Sequence, residues 1–335
     1  MTFEEELQER IDSRTKPKGS LGQLERIAYK VGMIQHSVTP QLIDPVLLVM
    51  AADHGIVEEG VSPCPKEITW QQCINFVSGG GACSVLARQN GFRLRVIDVG
   101  VDYDFPEACR IESAKVMHGT RNMLHEPAMT TEECAEAMLI GAQCVAQEAE
   151  RGSNVIAFGE MGIGNTSPAT LILHKITGRS IASIIGPGSG LRGSGLEHKA
   201  KVLEQVAARY NPQSPMELLS QMGGLEIAAI CGGVLEAYKR GMLILADGVI
   251  ATSAFMVAHE MEPRIVDNVL FAHTSEEPGH QAMIDYLGGE AILSLGMRLG
   301  EGTGALVAYP IVQSAVAFMS NMRGFADAAV YRVDK

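Results

Sequence analysis

The chain has 335 residues, 46% of them hydrophobic, 20% charged and 5% aromatic, with a formal net charge of −12 at pH 7. That balance, with Lys and Arg scattered rather than clustered, excludes a nucleic acid held on a basic face and requires any bound phosphate to have a local anion site. Glycine is abundant at 36 residues, which points to tight turns and to backbone close to a ligand.

Residues 1–40, opening MTFEEELQERID, carry helix signals and no strand, and the acidic amphipathic start is unlike a signal peptide. Apolar runs then alternate with helical patterns. PVLLVMAA (45–52) reads as a strand ending in ADHG, which offers Asp53 and His54. A proline-punctuated loop, VSPCPK, leads to a helix over 66–90 carrying Trp70, Gln72 and Phe76, a surface for a flat ring or simply core. RLRVIDVG (93–100) is the next strand, 130–151 a helix, and NVIAFGE (154–160) a strand that runs into GEMGIGNTSPAT and opens another helix. IASIIG (181–186) reads as a strand entering GPGSG, followed by helices over 195–209 and 223–240. MLILADG (242–248), a helix over 248–260, VLFAHT (269–274), a helix over 278–287 and a short AILSL strand (291–295) complete the alternation. MRLGEGTGA (297–305) then opens a stretch that is helical through 304–331.

The strand runs are continuous rather than alternating, so both faces are buried. The expected fold class is α/β: a Rossmann-like parallel sheet of about six strands flanked by helices, residues 41–303, with a small helical domain built from 1–40 and 304–335. No apolar run reaches membrane-spanning length. Seven cysteines, an odd number without a CxxC pair, fit reduced thiols in a cytoplasmic protein and no metal site.

In open parallel sheets, ligands bind at the carboxyl ends of the strands. Those ends here carry Asp53, His54, Asp98, Glu160, Asn165, Ser189, Asp247, His273 and Ser275. In GEMGIGNTSPAT, Gly162 and Gly164 let amides converge at a helix start, and Glu160, Asn165 and Thr166 supply more polar chemistry than a cap by Thr166 or Ser167 requires. GPGSG, with Gly188 and Ser189, lacks the Lys-Ser/Thr of a nucleoside-triphosphate loop; it suits a monophosphate with Lys199, or leaves Lys199 a solvated helix residue. AHTSEEPGH reads as a helix start with Ser275 as cap, Glu276 and Glu277 in the first turn and Pro278 just inside. Asp53 and His54 fit a structural hydrogen bond as well as a proton relay. GEGTGA formally fits the dinucleotide fingerprint, but no strand follows to present a ribose-binding acid, which leaves an NAD-linked oxidoreductase as a poor second choice.

The motifs KPKGSLGQLE (16–25), ADHG, GEMGIGNTSPAT, GGLEIAAICGGVL (223–235), LADGVIATSA (245–254) and MRLGEGTGA with PIVQSAVAFMSNM recur in this order, and together they resemble the nicotinate-nucleotide–dimethylbenzimidazole phosphoribosyltransferase family over residues 9–328. The resemblance implies a Rossmann-like sheet, a small helical domain from both chain ends and a dimer with active sites near the subunit interface. It implies transfer of the 5-phosphoribosyl group of nicotinate mononucleotide to an aromatic lower-ligand base of a cobamide. Nicotinate is released, the anomeric centre inverts to an α-ribotide, and no metal or cofactor takes part. Glu301 maps to the general base. Lys199 and the loop amides around Gly188 and Ser189 map to the phosphate, and Glu160, Gly162, Gly164, Asn165 and Thr166 to the ribose-phosphate side.

On the acceptor side stand Gln72, which matches the family, Leu299, and Cys64 where benzimidazole-directed members usually carry a serine; Trp70 is also unusual. Relatives that use phenol or p-cresol are two-chain enzymes. The resemblance therefore leaves open a dimethylbenzimidazole-type or a phenolic acceptor, a homodimer or a heterodimer with a paralogous chain, and a non-catalytic partner subunit, against which the intact Glu301 argues. The amides of the glycine turn are expected to keep Glu301 ionised by hydrogen-bonding its charged form.

Overall fold

The computed structural model describes residues 1–188 and 190–331. The first half of the chain forms α1 (Phe3–Asp12), α2 (Gln23–Gln35), β1 (Val46–Ala52), α3 (Ile68–Val77), α4 (Ala82–Gln89), β2 (Arg93–Gly100), β3 (Glu112–Ser113), α5 (Thr131–Glu150) and β4 (Val155–Met161). Next come α6 (Thr166–Thr177), α7 (Ile181–Ile184), α8 (Ser194–Arg209), α9 (Pro215–Met222), α10 (Leu225–Lys239), β5 (Leu243–Ala246) and α11 (Val249–Met261). The chain closes with β6 (Val269–His273), α12 (His280–Tyr286), β7 (Ala291–Leu293), α13 (Thr303–Asn321) and α14 (Phe325–Ala328).

The seven strands form one sheet in the order β3-β2-β1-β4-β5-β6-β7, and every pairing is parallel. The α/β class expected from the continuous apolar runs is therefore the observed one, with the two-residue β3 as an addition. β1 shows why both faces are apolar. Its residues are all buried, with Val46, Leu48 and Met50 in one core and Leu47, Val49 and Ala51 in the other. The first core lies under α5, α6 and α8 to α12; the second lies under α1 to α4 and α13.

Helices from the two chain ends meet on that second face. The Arg10 guanidinium donates to the carbonyls of Met319 and Ser320, and that of Arg14 to Met322, so the N-terminal segment clasps the end of α13. α13 also covers β4 and β6.

Several local expectations are corrected. IASIIG forms the helical turn α7, not a strand: Ile181 and Ile184 face inward while Ala182 and Ser183 are exposed, a helical spacing that a short β-branched run does not reveal by composition. The helix expected over 66–90 is two helices, split at Gly79–Gly81, where the Phe76 ring packs so closely on Gly81 that a Cβ there would sit 2.3 Å from it. The helical reading of 304–331 stops at Asn321 and resumes only for α14. Among the described residues one helix, α13, is long and apolar enough to cross a membrane, contrary to the sequence reading, but 56% of that stretch is buried within the fold.

Candidate active site

The strands β1, β2, β4, β5 and β6 all end at the same edge of the sheet, and the Gly-Glu-Gly turn is pressed against it. Gly300, Glu301 and Gly302 have φ of 83°, 62° and 80°, three left-handed residues in succession, of which the glutamate is the one under steric strain. The turn approaches β4 at Gly159, where a Cβ would lie 2.5 Å from the Glu301 carbonyl oxygen.

The turn's amides do not serve the Glu301 carboxylate, which corrects the expectation. Glu301 N donates to Glu160 Oε1 at 3.3 Å, and Gly302 N to Asp247 Oδ2 at 3.0 Å. Gly304 N and Ala305 N donate to Asp247 Oδ1 at 2.6 and 3.2 Å. Glu301 Oε2 accepts one amide, Cys83 N in the first turn of α4, at 3.4 Å. Burial pushes the Glu301 carboxyl above its ordinary value; the Cys83 amide opposes this and the Asp247 charge adds to it. The result is a carboxylate of raised basicity.

Glu160, at the end of β4, accepts from Asn165 Nδ2 as well as from Glu301 N. Burial raises its pKa to about 8; the Asn165 hydrogen bond opposes the shift, and Asp247 and Glu226 reinforce it. The shift favours the protonated form of Glu160 near neutrality. Asn165 occupies the cap position of α6 without a side-chain cap bond, and Thr166 is engaged elsewhere: its Oγ1 accepts from Lys199 Nζ at 2.7 Å. Lys199 is fully buried and also donates to the Gly186 carbonyl at 3.2 Å. Burial lowers its pKa to about 8, with Glu277 pulling the other way. The solvated-lysine reading of Lys199 is thereby excluded.

These groups enclose a cleft of about 330 Å³. Glu160, Gly162, Gly164, Asn165, Thr166 and Gly188 line it, together with Glu301, Cys64, Gln72 and Leu299. Lys199 stands behind Thr166, and a Cβ on Gly188 would lie 3.7 Å from its Nζ. Ser189 lies outside the described residues. Two further groups join the cleft: Glu277, read from sequence only as a first-turn helix residue, and the exposed Arg298. Glu277 backs the GPGSG loop so tightly that a Cβ on Gly186 would be 1.6 Å from its Oε2. A carboxylate facing the one residue type that leaves room for it has no signature in local sequence.

The capped-helix reading of AHTSEEPGH is also corrected. α12 begins at His280 with Gly279 at its cap, Pro278 lies outside it, and Ser275 Oγ accepts from Glu277 N at 3.2 Å. His273 and Ser275 line the cleft, while His280, its pKa lowered to about 3 by burial and by His273, is a neutral acceptor for Ser275 N.

Other strand-end residues stay out of the cleft. His54 Nε2 meets Glu226 Oε1 at 2.8 Å, both side chains buried; burial disfavours its charge, but Glu226, Asp53 and Glu160 outweigh that and raise its pKa. Asp53 accepts from Asp102 N, and Asp98 accepts from Val101 N and pairs with Lys115 at 3.2 Å. Trp70 stacks on Tyr103 with ring centroids 4.5 Å apart, leaving Ile68 and Gln72 as the α3 residues at the cleft. GEGTGA lacks the dinucleotide context: the segment before it is irregular from Ser294, and among the described residues no strand follows α13.

A family model described as phosphoribosyltransferase, DBI_PRT, matches residues 1–330. The chain belongs to this phosphoribosyltransferase family. Within it, the chain is 46% identical over 332 residues to the nicotinate-nucleotide–dimethylbenzimidazole phosphoribosyltransferase of Dechloromonas aromatica (strain RCB), spanning 98% of this chain and 95% of that one. It is 47% identical over 323 residues to the protein of the same name from Ralstonia nicotianae, spanning 96% and 91%. Its fold superposes on the crystal structure of CobT from Thermus thermophilus with a TM-score of 0.96, at 36% identity over 99% of both chains. The family resemblance carried by the ordered motifs is borne out, as is the enzyme class: phosphoribosyltransferases move a pentosyl group.

Proposed function

We propose that the chain transfers the 5-phosphoribosyl group of nicotinate mononucleotide to 5,6-dimethylbenzimidazole or a similar aromatic lower-ligand base, releasing nicotinate and forming the α-ribotide. The observation that carries the proposal is Glu301: a buried carboxylate of raised basicity, aimed into a cleft whose opposite chemistry is an amide-rich corner with a buried lysine. Lys199, Thr166 and the Gly188 loop at the N-terminus of α6 take the phosphate. Glu160, protonated, and Asn165 hold the ribose hydroxyls. Cys64, Gln72 and Leu299 bound the acceptor ring.

In the reaction the acceptor's ring nitrogen attacks C1′ from the face opposite the pyridinium, so the C1′–N bond to nicotinate breaks as the new bond forms and the centre inverts. The pyridinium carries its positive charge in the ground state, so the bond's electron pair leaves on a neutral ring without a metal or acid. Glu301 removes the acceptor's N–H proton. Glu301, which lines the cleft, also favours the positive charge that develops on the attacking ring. Nicotinate mononucleotide is a substrate, and no cofactor enters these steps.

The test is a product assay with nicotinate mononucleotide and, in parallel, dimethylbenzimidazole, adenine, phenol and p-cresol. A ribotide of dimethylbenzimidazole with stoichiometric nicotinate is expected. Turnover only with the phenols transfers the activity to an O-glycosylating enzyme, in keeping with Cys64 at the cleft, and no product with any acceptor refutes the reading.

A further inference from the structure

The Gly-Glu-Gly turn is held by a residue that the reaction itself does not require. Asp247 follows β5, is 2% exposed, and receives three backbone amides: Gly302 N on one oxygen, Gly304 N and Ala305 N on the other. Both oxygens are thus committed to the segment that carries Glu301 and to the first turn of α13. No side chain of that segment supplies an α13 cap bond, so the cap comes from a residue 55 positions earlier. Gly304 packs on the same group: a Cβ there would lie 2.8 Å from Asp247 Oδ1 and 2.0 Å from the His273 ring.

We propose that Asp247 is the positioning residue of this enzyme: its carboxylate holds the Gly300–Gly302 turn in the left-handed form that directs Glu301 at the acceptor. Three consecutive left-handed residues are not a conformation the chain keeps unaided, since φ of 62° is unfavourable for Glu301 and flanking glycines widen the alternatives open to it. Two hydrogen bonds to Oδ1 and one to Oδ2 remove those alternatives. The titratable groups facing the pair come from the packed elements: Glu160 from β4, His273 from β6 with Nε2 3.7 Å from Asp247 Oδ1, and the neutral Cys83 from α4, while Glu226 of α10 acts on Glu160. The Asp247 charge raises the proton affinity of Glu301 and of Glu160 alike.

The inference rests on the phosphoribosyl-transfer reading, and the experiment separates the two. Wild type and Glu301→Gln are first assayed with nicotinate mononucleotide and dimethylbenzimidazole across pH 5–9; no wild-type product refutes the reading before Asp247 is touched. Asp247→Asn and Asp247→Ala are then compared. Asn retains a carbonyl acceptor for Gly304 N and Ala305 N but not the charge. The expected result is a kcat loss of about tenfold to hundredfold in Asp247→Asn, with KM for nicotinate mononucleotide within about threefold. Its acidic pH limb is displaced to lower pH, because Glu301 then binds its proton less tightly. Asp247→Ala, with the turn released, approaches the activity of Glu301→Gln. Calorimetric binding of nicotinate mononucleotide reports that each variant is folded; if the alanine variant does not fold, the asparagine variant alone decides. Asp247→Asn with kcat within twofold of wild type, or with a lowered kcat but an unmoved acidic limb, overturns the proposal.

Discussion

Replacing Glu301 by Gln removes the base and little else. The amide has nearly the volume of the carboxylate, keeps an oxygen to accept from Cys83 N, and leaves the turn's own amides on Glu160 and Asp247. A positioned general base contributes about 10²–10⁴ in rate. Burial and the Asp247 charge raise the proton affinity of Glu301, and the middle of that range, about 10³-fold or about 4 kcal/mol on the activation barrier, is the expected loss. Stability moves the other way. A carboxyl whose folded pKa lies above its unfolded value stabilises the fold at low pH and loses that contribution as pH rises through the folded pKa, so the Gln variant is at least as stable as wild type at pH 7–8. The assay is a rapid-quench single turnover with chromatographic ribotide detection, beside calorimetry for nicotinate mononucleotide, whose affinity is expected to stay within about threefold because the Lys199 corner is untouched. A single-turnover rate within tenfold of wild type would refute the assignment of Glu301 as base.

Two further outcomes are expected. Lys199→Met keeps the buried stem and deletes the ammonium; a charge-assisted hydrogen bond contributes about 1.5–3 kcal/mol, so KM for nicotinate mononucleotide rises about tenfold to hundredfold while kcat changes far less, as steady-state kinetics will report. Glu160→Gln removes a carboxyl that folding holds protonated up to about pH 8. Wild-type stability therefore falls relative to the variant as pH rises from about 5 to about 8 and levels beyond, a Tm gap that opens by about 2 °C or more in parallel thermal melts; a gap independent of pH contradicts a neutral Glu160.

Much of the scaffold was legible because a parallel strand buried on both faces needs an apolar residue at every position, as in VLLVMAA, and such runs are conspicuous. IASIIG satisfies the same composition yet turns as a helix, since four residues carry too little periodicity to distinguish two geometries. α9 had a readable start, Ser214 capping Glu217 N with Pro215 at the first position, but no long apolar stripe to draw attention to it. In the cleft, Glu160, Asn165, Thr166 and Lys199 were visible because polar residues cluster where strands end. The destinations of the turn's amides were not: a hydrogen bond from Gly302 to Asp247 spans 55 positions, and a glycine turn looks the same whether its amides face a substrate or a carboxylate. Glu277 was hidden for the complementary reason, its first-turn position mimicking a helix start.

The cleft's charge is unevenly placed, with Glu301 and Asp247 at one end and Lys199, Arg298 and the N-terminus of α6 at the other. The proposed donor has a pyridinium, beside its own ring carboxylate, at one end and an anionic phosphate at the other, so the phosphate selects the Lys199 end. Transfer removes the pyridinium charge: the ribotide, once Glu301 has taken its proton, is neutral at the ring, Glu301 is then a neutral acid, and the departing nicotinate keeps only its own carboxylate. On the proposed reading, the charge that seats the donor ring beside Glu301 is spent in the step itself, and neither product ring keeps a positive charge to hold it there.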